Sequence, residues 1–143
     1  EPTEREHIDP PLPIDASDNG SSTGETETCQ AWTSQHPAIR IDQEKDVISD
    51  SGEEIFSYFT DRGIRTMLIL GVHTNMCVLH RSFGIKQMVR WGVRPILIRD
   101  LTDTMYNPEM PPYVSHEAGT DLVIIYIEKF WCGTTTSVHF ADS

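Results

Sequence analysis

The sequence has no long apolar run and few basic residues. No apolar stretch approaches the ~20 residues that a membrane-spanning helix needs. The 143 residues include 11 Lys and Arg against 22 Asp and Glu, which gives a net charge of −11 at pH 7. Because binding to phosphate groups needs clustered Lys and Arg, we expect no nucleic-acid partner and no membrane partner.

Cysteine is also scarce, with three residues, Cys29, Cys77 and Cys132. Their odd number and wide spacing argue against a disulfide framework, and there is no Cys-x-x-Cys pairing of the kind that binds zinc. A single bridge between Cys29 and Cys132 stays open as an alternative. Six His residues are scattered along the chain without ligand spacing, so we assign no metal and no cofactor.

Nucleotide-binding motifs and a targeting signal are missing. The chain contains neither a G-x-G-x-x-G nor a Walker A sequence, which weighs against a doubly wound nucleotide-binding module. No signal peptide is visible. The location is therefore cytoplasmic if no signal peptide was removed, and otherwise it stays unassigned.

Composition divides the chain into two parts. Residues 1–31 are rich in Pro, Ser, Thr, Gly and acidic residues, a composition that buries too little apolar surface to offset the entropy lost on ordering. We predict that this segment is a loop or arm over a domain, pinned by Ile8, Leu12 and Ile14. Residues 32–143 are predicted to form one α/β domain, and the chain length suits a single core.

Alternating apolar segments predict the elements of that domain. Predicted strands cover residues 38–41, 66–70, 95–98 and 122–127, and predicted helices cover residues 51–63 and 75–91. The strands are nearly continuous apolar runs, a pattern typical of strands buried on both faces. Since they alternate with helices, we expect right-handed crossovers and a three-layer α/β fold with a mainly parallel sheet.

A capping box supports the first predicted helix. Ser51 can cap this helix and Glu54 can reach back to it, while Gly63 suits the position after its end. Prolines predict irregular structure over residues 102–119. Four strands are few against the usual ~5–6, and the chain begins at Glu1 rather than Met. We therefore expect that an N-terminal strand–helix–strand unit is missing.

Cys77 lies at the seam between a predicted strand and a predicted helix, in the stretch LGVHTNMCVL. Open α/β sheets bind ligands beyond the carboxyl ends of their strands. The unpaired N–H groups and the dipole of a helix N-terminus favour an anion such as a thiolate. The N–H groups of Met76 and Cys77 could also face a developing oxyanion. The alternative is that Cys77 is a small buried core residue.

Residues 68–78, LILGVHTNMCV, resemble the signature of the isochorismatase-like cysteine hydrolases. This superfamily includes nicotinamidases, isochorismatases and N-carbamoylsarcosine amidases, and its typical form is an apolar strand followed by G-V-x-T-N-x-C-V at the start of a helix. The matching positions are Gly71, Val72, Thr74, Asn75, Cys77 and Val78. The resemblance covers roughly residues 38–130 and implies a Rossmann-like fold of which this chain lacks the first strand–helix–strand.

The resemblance also implies roles for individual residues. Cys77 matches the nucleophile, which attacks an amide-like carbonyl to form a thioester. The peptide bond between Val72 and His73 matches the position of a cis bond that helps to aim the oxyanion hole. Met76 would contribute to that oxyanion hole.

A catalytic triad of Asp, Lys and Cys is implied as well. Lys45 is the only Lys before Cys77 and follows the predicted strand 38–41, so it is the candidate for the triad lysine; the alternative is a solvated loop residue. Thr74 and Asn75 would bind substrate. No strand that ends in Asp is found upstream, so the general base has no candidate.

We therefore expect a cysteine hydrolase that cleaves the C–N bond of a small amide. Its partners would be a small-molecule substrate and further copies of the chain in a homo-oligomer. The alternative is a catalytically impaired or non-catalytic family member that binds a ligand or forms oligomers, because the Asp that would accept the thiol proton and activate water is not found.

Several other polar residues are weaker candidates. His73 is expected either to contact substrate or to pack beside the turn, and His80 falls one turn beyond Cys77. His116 lies near Asp100 and Asp103 in the pattern, which leaves a His/Asp metal site as an alternative to the assignment of no metal.

Overall fold

The sheet is small, open and parallel. A computed structural model describes residues 4–21 and 33–140, and within them three parallel strands pair in the order β1–β2–β3. The strands are β1 (Thr66–Val72), β2 (Arg94–Asp103) and β3 (Gly133–Thr135). The α-helices are α1 (Gly52–Asp61), α2 (Ile85–Arg90) and α3 (His116–Phe130). The predicted α/β class with a parallel sheet is confirmed.

The first predicted helix is confirmed as α1, and its N-terminus is capped by Ser51. The Ser51 hydroxyl accepts a hydrogen bond from the backbone N–H of Glu54, with 3.4 Å between the heavy atoms. The Glu54 carboxylate instead accepts from the Ser49 hydroxyl, so only half of the capping box forms. Gly63 follows the helix with φ of +66°, the left-handed conformation expected after a helix end.

Strand β1 is an edge strand, and one of its faces is uncovered. Leu68, Leu70 and Val72 are 42%, 53% and 59% exposed, respectively. The prediction that this strand is buried on both faces is therefore wrong. Within the described residues β1 pairs with β2 alone, and its exposed residues alternate with partly covered ones, as they do when one face of a strand packs on a core.

The register between β1 and β2 shifts near their carboxyl ends. Ile69 lies opposite Leu97, whereas Gly71 lies opposite Thr102, so β2 carries extra residues at this point. Gly71 has φ of +110°, a conformation that a residue with a Cβ atom rarely adopts. The shift places the end of β2 directly beside the end of β1.

The helix predicted over residues 75–91 is wrong, because the chain breaks it at residues 81–84. A π-helical turn spans Thr74–Val78, and α2 begins only at Ile85. Gly84 caps α2, and a Cβ atom there would lie 2.8 Å from the carbonyl oxygen of Val78. Ser82 accepts a hydrogen bond from the N–H of Gly52 at 3.0 Å. The break is thus stabilised by the close approach of Gly84 to the Val78 carbonyl and by the hydrogen bond between Ser82 and Gly52 of α1.

The strand predicted over residues 122–127 is also wrong, because this segment lies within α3. Ser115 caps the helix and accepts from the N–H of Ala118 at 3.2 Å. The buried apolar residues are Val123, Ile124, Tyr126 and Ile127. Their spacing of one, three and four residues forms a single helical face, so tertiary packing overrides the β preference of the Val-Ile-Ile run.

One further predicted strand is absent, and one strand of the sheet was not predicted. Residues 38–41 form a turn rather than a strand, and residues 33–40 are exposed with no sheet neighbour. The third strand of the sheet was missed, because Gly133–Thr135 is only three residues long and has no apolar residue. The strand predicted over residues 95–98 is confirmed within the longer β2.

Residues 4–21, here called the arm, lie along the domain. Ile14 is buried in the core and Leu12 packs against it, whereas Ile8 is exposed. The ring of His7 stacks on Trp131, with 4.2 Å between the ring centroids. Two of the three predicted apolar anchors therefore hold the arm, and His7 adds an aromatic one. The predicted boundary at residue 31 and Cys29 lie outside the described residues.

Asp9 joins the arm to α2 and α3. Its carboxylate lies 2.5 Å from Lys86 Nζ and 3.5 Å from the Arg90 guanidinium, and it accepts a hydrogen bond from the Tyr126 hydroxyl at 3.1 Å. Partial burial alone would raise the pKa of Asp9, but the hydrogen bonds from Lys86 and Tyr126 and the two positive charges outweigh burial and lower it.

The substitution Asp9→Asn should destabilise the fold by about 1 kcal/mol at pH 7, a value limited by the partial exposure of the carboxylate. Because the folded-state pKa is lowered from 3.8, the contribution is present above that value and is lost as the pH falls through the folded pKa. Urea unfolding of both proteins, at pH 7 and in acid, measures the difference. Asp121→Asn, at an exposed position, is the control. An Asp9→Asn protein as stable as this control would contradict the prediction.

Candidate active site

The turn that carries Cys77 follows β1 directly and is called the Cys77 turn (Thr74–Val78). The N–H groups of Met76 and Val78 both donate to the carbonyl oxygen of His73, at 3.0 and 3.2 Å. The peptide bond between Val72 and His73 is cis, as the resemblance implied. Since the Met76 N–H already has an acceptor, its predicted role in an oxyanion hole stays a prediction.

Two buried side chains join the Cys77 turn to β2 and to the segment after it by hydrogen bonds. Asn75 donates from Nδ2 to the Met105 carbonyl and accepts at Oδ1 from the Met105 N–H, both at 2.9 Å. Thr74 Oγ1 lies 2.6 Å from Thr102 Oγ1, which donates to the Gly71 carbonyl at 2.8 Å. These groups hold the turn in place. The predicted contacts of Thr74 and Asn75 with substrate stay predictions.

A cavity of about 410 Å³ opens to solvent beside the turn. It is here called the Cys77 cavity. The residues that line it are Leu12, Asn75, Met76, Cys77, His80 and Arg81. Leu12 comes from the arm, so the N-terminal segment supplies one wall. Cys77 is half-buried, a setting that leaves its thiol accessible to a small molecule while the backbone around it is fixed.

The break at residues 81–84 changes the electrostatic argument for Cys77. The predicted long helix would have placed a full macrodipole behind the thiol, whereas the turn and the residues that continue it form only a short segment. Dipole effects depend on the alignment of successive peptide units. The reactivity of Cys77 therefore depends mainly on the side chains of the cavity.

His80 is the titratable neighbour of Cys77 in the cavity. His80 is exposed at the surface of the cavity, and desolvation by nearby atoms still lowers its pKa. The positive charges of Lys86 and Arg90 lower it further, against an opposing effect of Asp9. His80 is consequently a neutral imidazole at neutral pH and can accept a proton.

Lys45 is placed differently from the resemblance. Its side chain is 79% exposed, and Nζ lies 2.9 Å from Asp42 Oδ2. Its carbonyl oxygen accepts from the Tyr58 hydroxyl at 3.1 Å. Among the described residues that line the Cys77 cavity, Lys45 is not found. Its role as the triad lysine stays a prediction that no contact supports.

Asp103 and His116 form an ion pair at the same edge of the sheet. Asp103 lies opposite Val72 in the β1–β2 register. His116 Nε2 is 2.8 Å from Asp103 Oδ1, and Nδ1 donates to the Tyr106 carbonyl at 3.0 Å. The carbonyl of Tyr106 and the Asp103 carboxylate thus raise the pKa of His116. Burial would raise the pKa of Asp103, but its contact with His116 outweighs burial and lowers it.

Of the two acids predicted to lie near His116, only Asp103 contacts it. Asp100 accepts hydrogen bonds from the hydroxyl and N–H of Ser137, which lower its pKa. Asp100 therefore faces the C-terminal segment rather than His116. Within residues 4–21 and 33–140, no group of three or more His, Cys, Asp or Glu side chains is arranged to hold a metal ion.

Cys132 is a contrasting thiol. Burial raises the pKa of Cys132 to about 11, which keeps it protonated at neutral pH. It packs against the hydrophobic core. Cys132 therefore serves as an internal reference for the reactivity of Cys77.

From the sequence, His80 was expected one turn beyond Cys77 and Leu12 was expected to anchor the arm, whereas Arg81 and the cavity that these residues share were missed. His80 and Arg81 lie three and four residues after Cys77, a helical spacing that could have placed them beside it. Leu12 gave no such signal, because its contact with the cavity depends on the path of the arm.

No family model, curated protein or solved structure matches the chain. None of the helices in the described part of the chain is long and apolar enough to span a membrane.

Asn75→Ala should destabilise the protein by roughly 1–3 kcal/mol, because it leaves the N–H and carbonyl of Met105 without their partners. Urea unfolding monitored by tryptophan fluorescence measures this loss. Gln43→Ala, at an exposed loop position, is the matched control for removal of a side-chain amide. If both variants unfold at the same urea concentration, the hydrogen bonds between Asn75 and Met105 do not stabilise the fold.

His116→Gln should destabilise the protein more at pH 6 than at pH 9. The folded-state pKa of His116 is raised from 6.5, so its ionic contribution is complete below that value and is lost as the pH rises through the folded pKa. Unfolding free energies of both proteins across this range measure the effect, with His139→Asn as the control. A pH-independent difference would show that the ion pair contributes nothing.

Proposed function

We propose that this chain is a cysteine hydrolase of the isochorismatase-like superfamily, with the corresponding three-layer Rossmann-like fold. It would cleave the C–N bond of a small amide through a thioester on Cys77. The observation that carries the proposal is the position of Cys77: a half-buried thiol that lines an open cavity at the carboxyl end of a parallel strand. Ligands of open α/β sheets bind at this end.

The surroundings of the thiol support nucleophilic chemistry. Reactive cysteines lie in partly exposed, electropositive settings, and Arg81 is one of the residues that line the same cavity. Among the described residues Arg81 makes no ion pair, in contrast to Arg90 and Arg99. Arg81 thus places a positive charge among the residues that line the cavity with Cys77, in a protein whose net charge is −11.

The reaction has two steps. Cys77 Sγ attacks the carbonyl carbon of the amide, the C–N bond breaks, and the amine leaves with the proton that the thiol gave up. Water then attacks the thioester, which releases a carboxylic acid and restores the thiol. The cavity volume of about 410 Å³ lies within the range of pockets for small molecules, which supports a small substrate.

A second candidate is a non-catalytic member whose role is assembly into a homo-oligomer. The observation that favours it is the uncovered apolar face of β1, formed by Leu68, Leu70 and Val72. An edge strand with exposed apolar side chains is a place where another chain can pair.

Incubation with p-nitrophenyl acetate tests the first proposal, because this activated ester acylates nucleophilic thiols. We expect one acetyl group per chain, located on Cys77 by peptide mass spectrometry, and faster release of p-nitrophenol than from Cys77→Ala. Cys132→Ala should behave as the unmodified protein does. Acetylation of Cys132 to the same extent as Cys77, or no acetylation, would contradict the proposal.

The assembly candidate has a separate readout. Leu70→Glu places a charge on the uncovered face of β1 and should abolish any concentration-dependent association seen by analytical ultracentrifugation. Glu53→Gln, on the exposed side of α1, is the control. A protein that sediments as a monomer at every concentration would contradict this candidate.

A further inference from the structure

Two reactive side chains line the Cys77 cavity without a protein partner. They are the thiol of Cys77 and the imidazole of His80. Neither forms a hydrogen bond or an ion pair with another described side chain or backbone group. This is unusual at this edge of the sheet, where the polar groups of Thr74, Asn75 and His116 are all engaged.

Cys77 and His80 lie one helical turn apart on the same side of the chain. The N–H of Arg81 donates to the Cys77 carbonyl at 3.1 Å, which shows that residues 77–81 follow a helical path. Side chains three residues apart on such a path are neighbours, and both of these line one cavity. No hydrogen bond joins the two side chains in the described part of the chain, and one water molecule between them can carry the proton.

Three carboxylates in this part of the fold are already paired. Asp9 accepts from Lys86 and Tyr126, Asp103 accepts from His116, and Asp100 accepts from Ser137. Each of these contacts lowers the pKa of the carboxyl group that accepts it, and a weakly basic carboxylate is a poor proton acceptor. Among the residues that line the cavity, His80 is the one base with no competing contact.

The surroundings of His80 favour its neutral form, which has a free lone pair for a proton. Lys86 and Arg90 face it from α2, and Asp9 faces it from the arm. Desolvation and the charges of Lys86 and Arg90 lower the pKa of His80 and favour the neutral imidazole, whereas the charge of Asp9 acts in the opposite direction. Arg81 is a further positive residue in the lining of the cavity. Its charge would partly balance a thiolate formed by proton transfer to His80.

We propose that His80 is the proton acceptor of Cys77, in the role for which the sequence offered no Asp. This inference rests on the proposed hydrolase function. The imidazole takes the thiol proton as Sγ bonds to the carbonyl carbon, and the imidazolium gives that proton to the nitrogen that leaves as the C–N bond breaks. His80 then takes a proton from the attacking water and returns it to the departing Sγ.

The pH dependence of Cys77 alkylation by iodoacetamide tests the proposal without a substrate. Rates are read by mass spectrometry of the Cys77 peptide, with Cys132 in the same molecule as the internal reference. His80→Asn should slow Cys77 alkylation near neutral pH by roughly tenfold, while His139→Asn leaves the rate unchanged. If His80→Asn reacts like the unmodified protein at every pH, the proposal is overturned.

Chemical rescue separates proton transfer from a merely structural role. In His80→Ala the cavity is open to solvent, so added imidazole should restore a large part of the Cys77 alkylation rate and should not change Cys132. An equal unfolding midpoint in urea for His80→Ala and the unmodified protein excludes misfolding as the cause. A slow His80→Ala protein that imidazole does not rescue would overturn the proposal.

The outcomes also distinguish this inference from the proposed function. If p-nitrophenyl acetate acylates Cys77 equally well in the unmodified protein and in His80→Asn, the hydrolase proposal stands and the role of His80 fails. If Cys77 of the unmodified protein reacts no faster than Cys132 with both reagents, both proposals fail.

Discussion

The paired hydrogen bonds between the Asn75 side chain and the backbone of Met105 are the constraint on which the site depends. They join the turn after β1 to the segment after β2. These two segments meet because the strands are parallel and end in register, with Val72 opposite Asp103. The Asn75 side chain both donates to and accepts from one residue of the neighbouring segment. It therefore joins the two segments as a backbone pair would in a sheet, beyond the last paired residues of the strands. The turn that carries Cys77 therefore has a fixed position although only a short segment follows it.

The second wall of the cavity comes from a segment whose composition indicated no fold. The arm is held by Ile14 in the core, by Asp9 between two cations and by His7 on Trp131. The anchor at Ile14 could be expected from its apolar side chain, whereas the contacts of Asp9 and His7 could not, because each depends on a partner far along the chain. Once they are formed, Leu12 has to lie beside the Cys77 turn. The cavity is thus a property of the arm and the sheet together, and loss of the arm would open the site.

The sequence predicted those elements whose pattern has a single physical explanation. The apolar runs of β1 and β2 and the capped helix α1 are such cases. It failed for residues 122–127, where the same β-branched run suits a strand or a helix and packing of one helical face against the core favours the helix. Cys77 could be predicted from its place at a strand end. The position of His80 one turn beyond Cys77 could be predicted as well, but its surroundings could not, because they depend on the break at Gly84 and on the charges that the arm and α2 bring to it.

The uncovered face of β1 connects the two candidate functions. Val72 is both the last exposed residue of that face and the neighbour of His73, where the Cys77 turn begins. Burial of Leu68, Leu70 and Val72 would be favourable by about 25 cal/mol for each Å² of apolar area removed from water. Any surface that packs there would also touch the start of the Cys77 turn, opposite β2. A change in assembly would then change the environment of the thiol, because both depend on the position of one strand end.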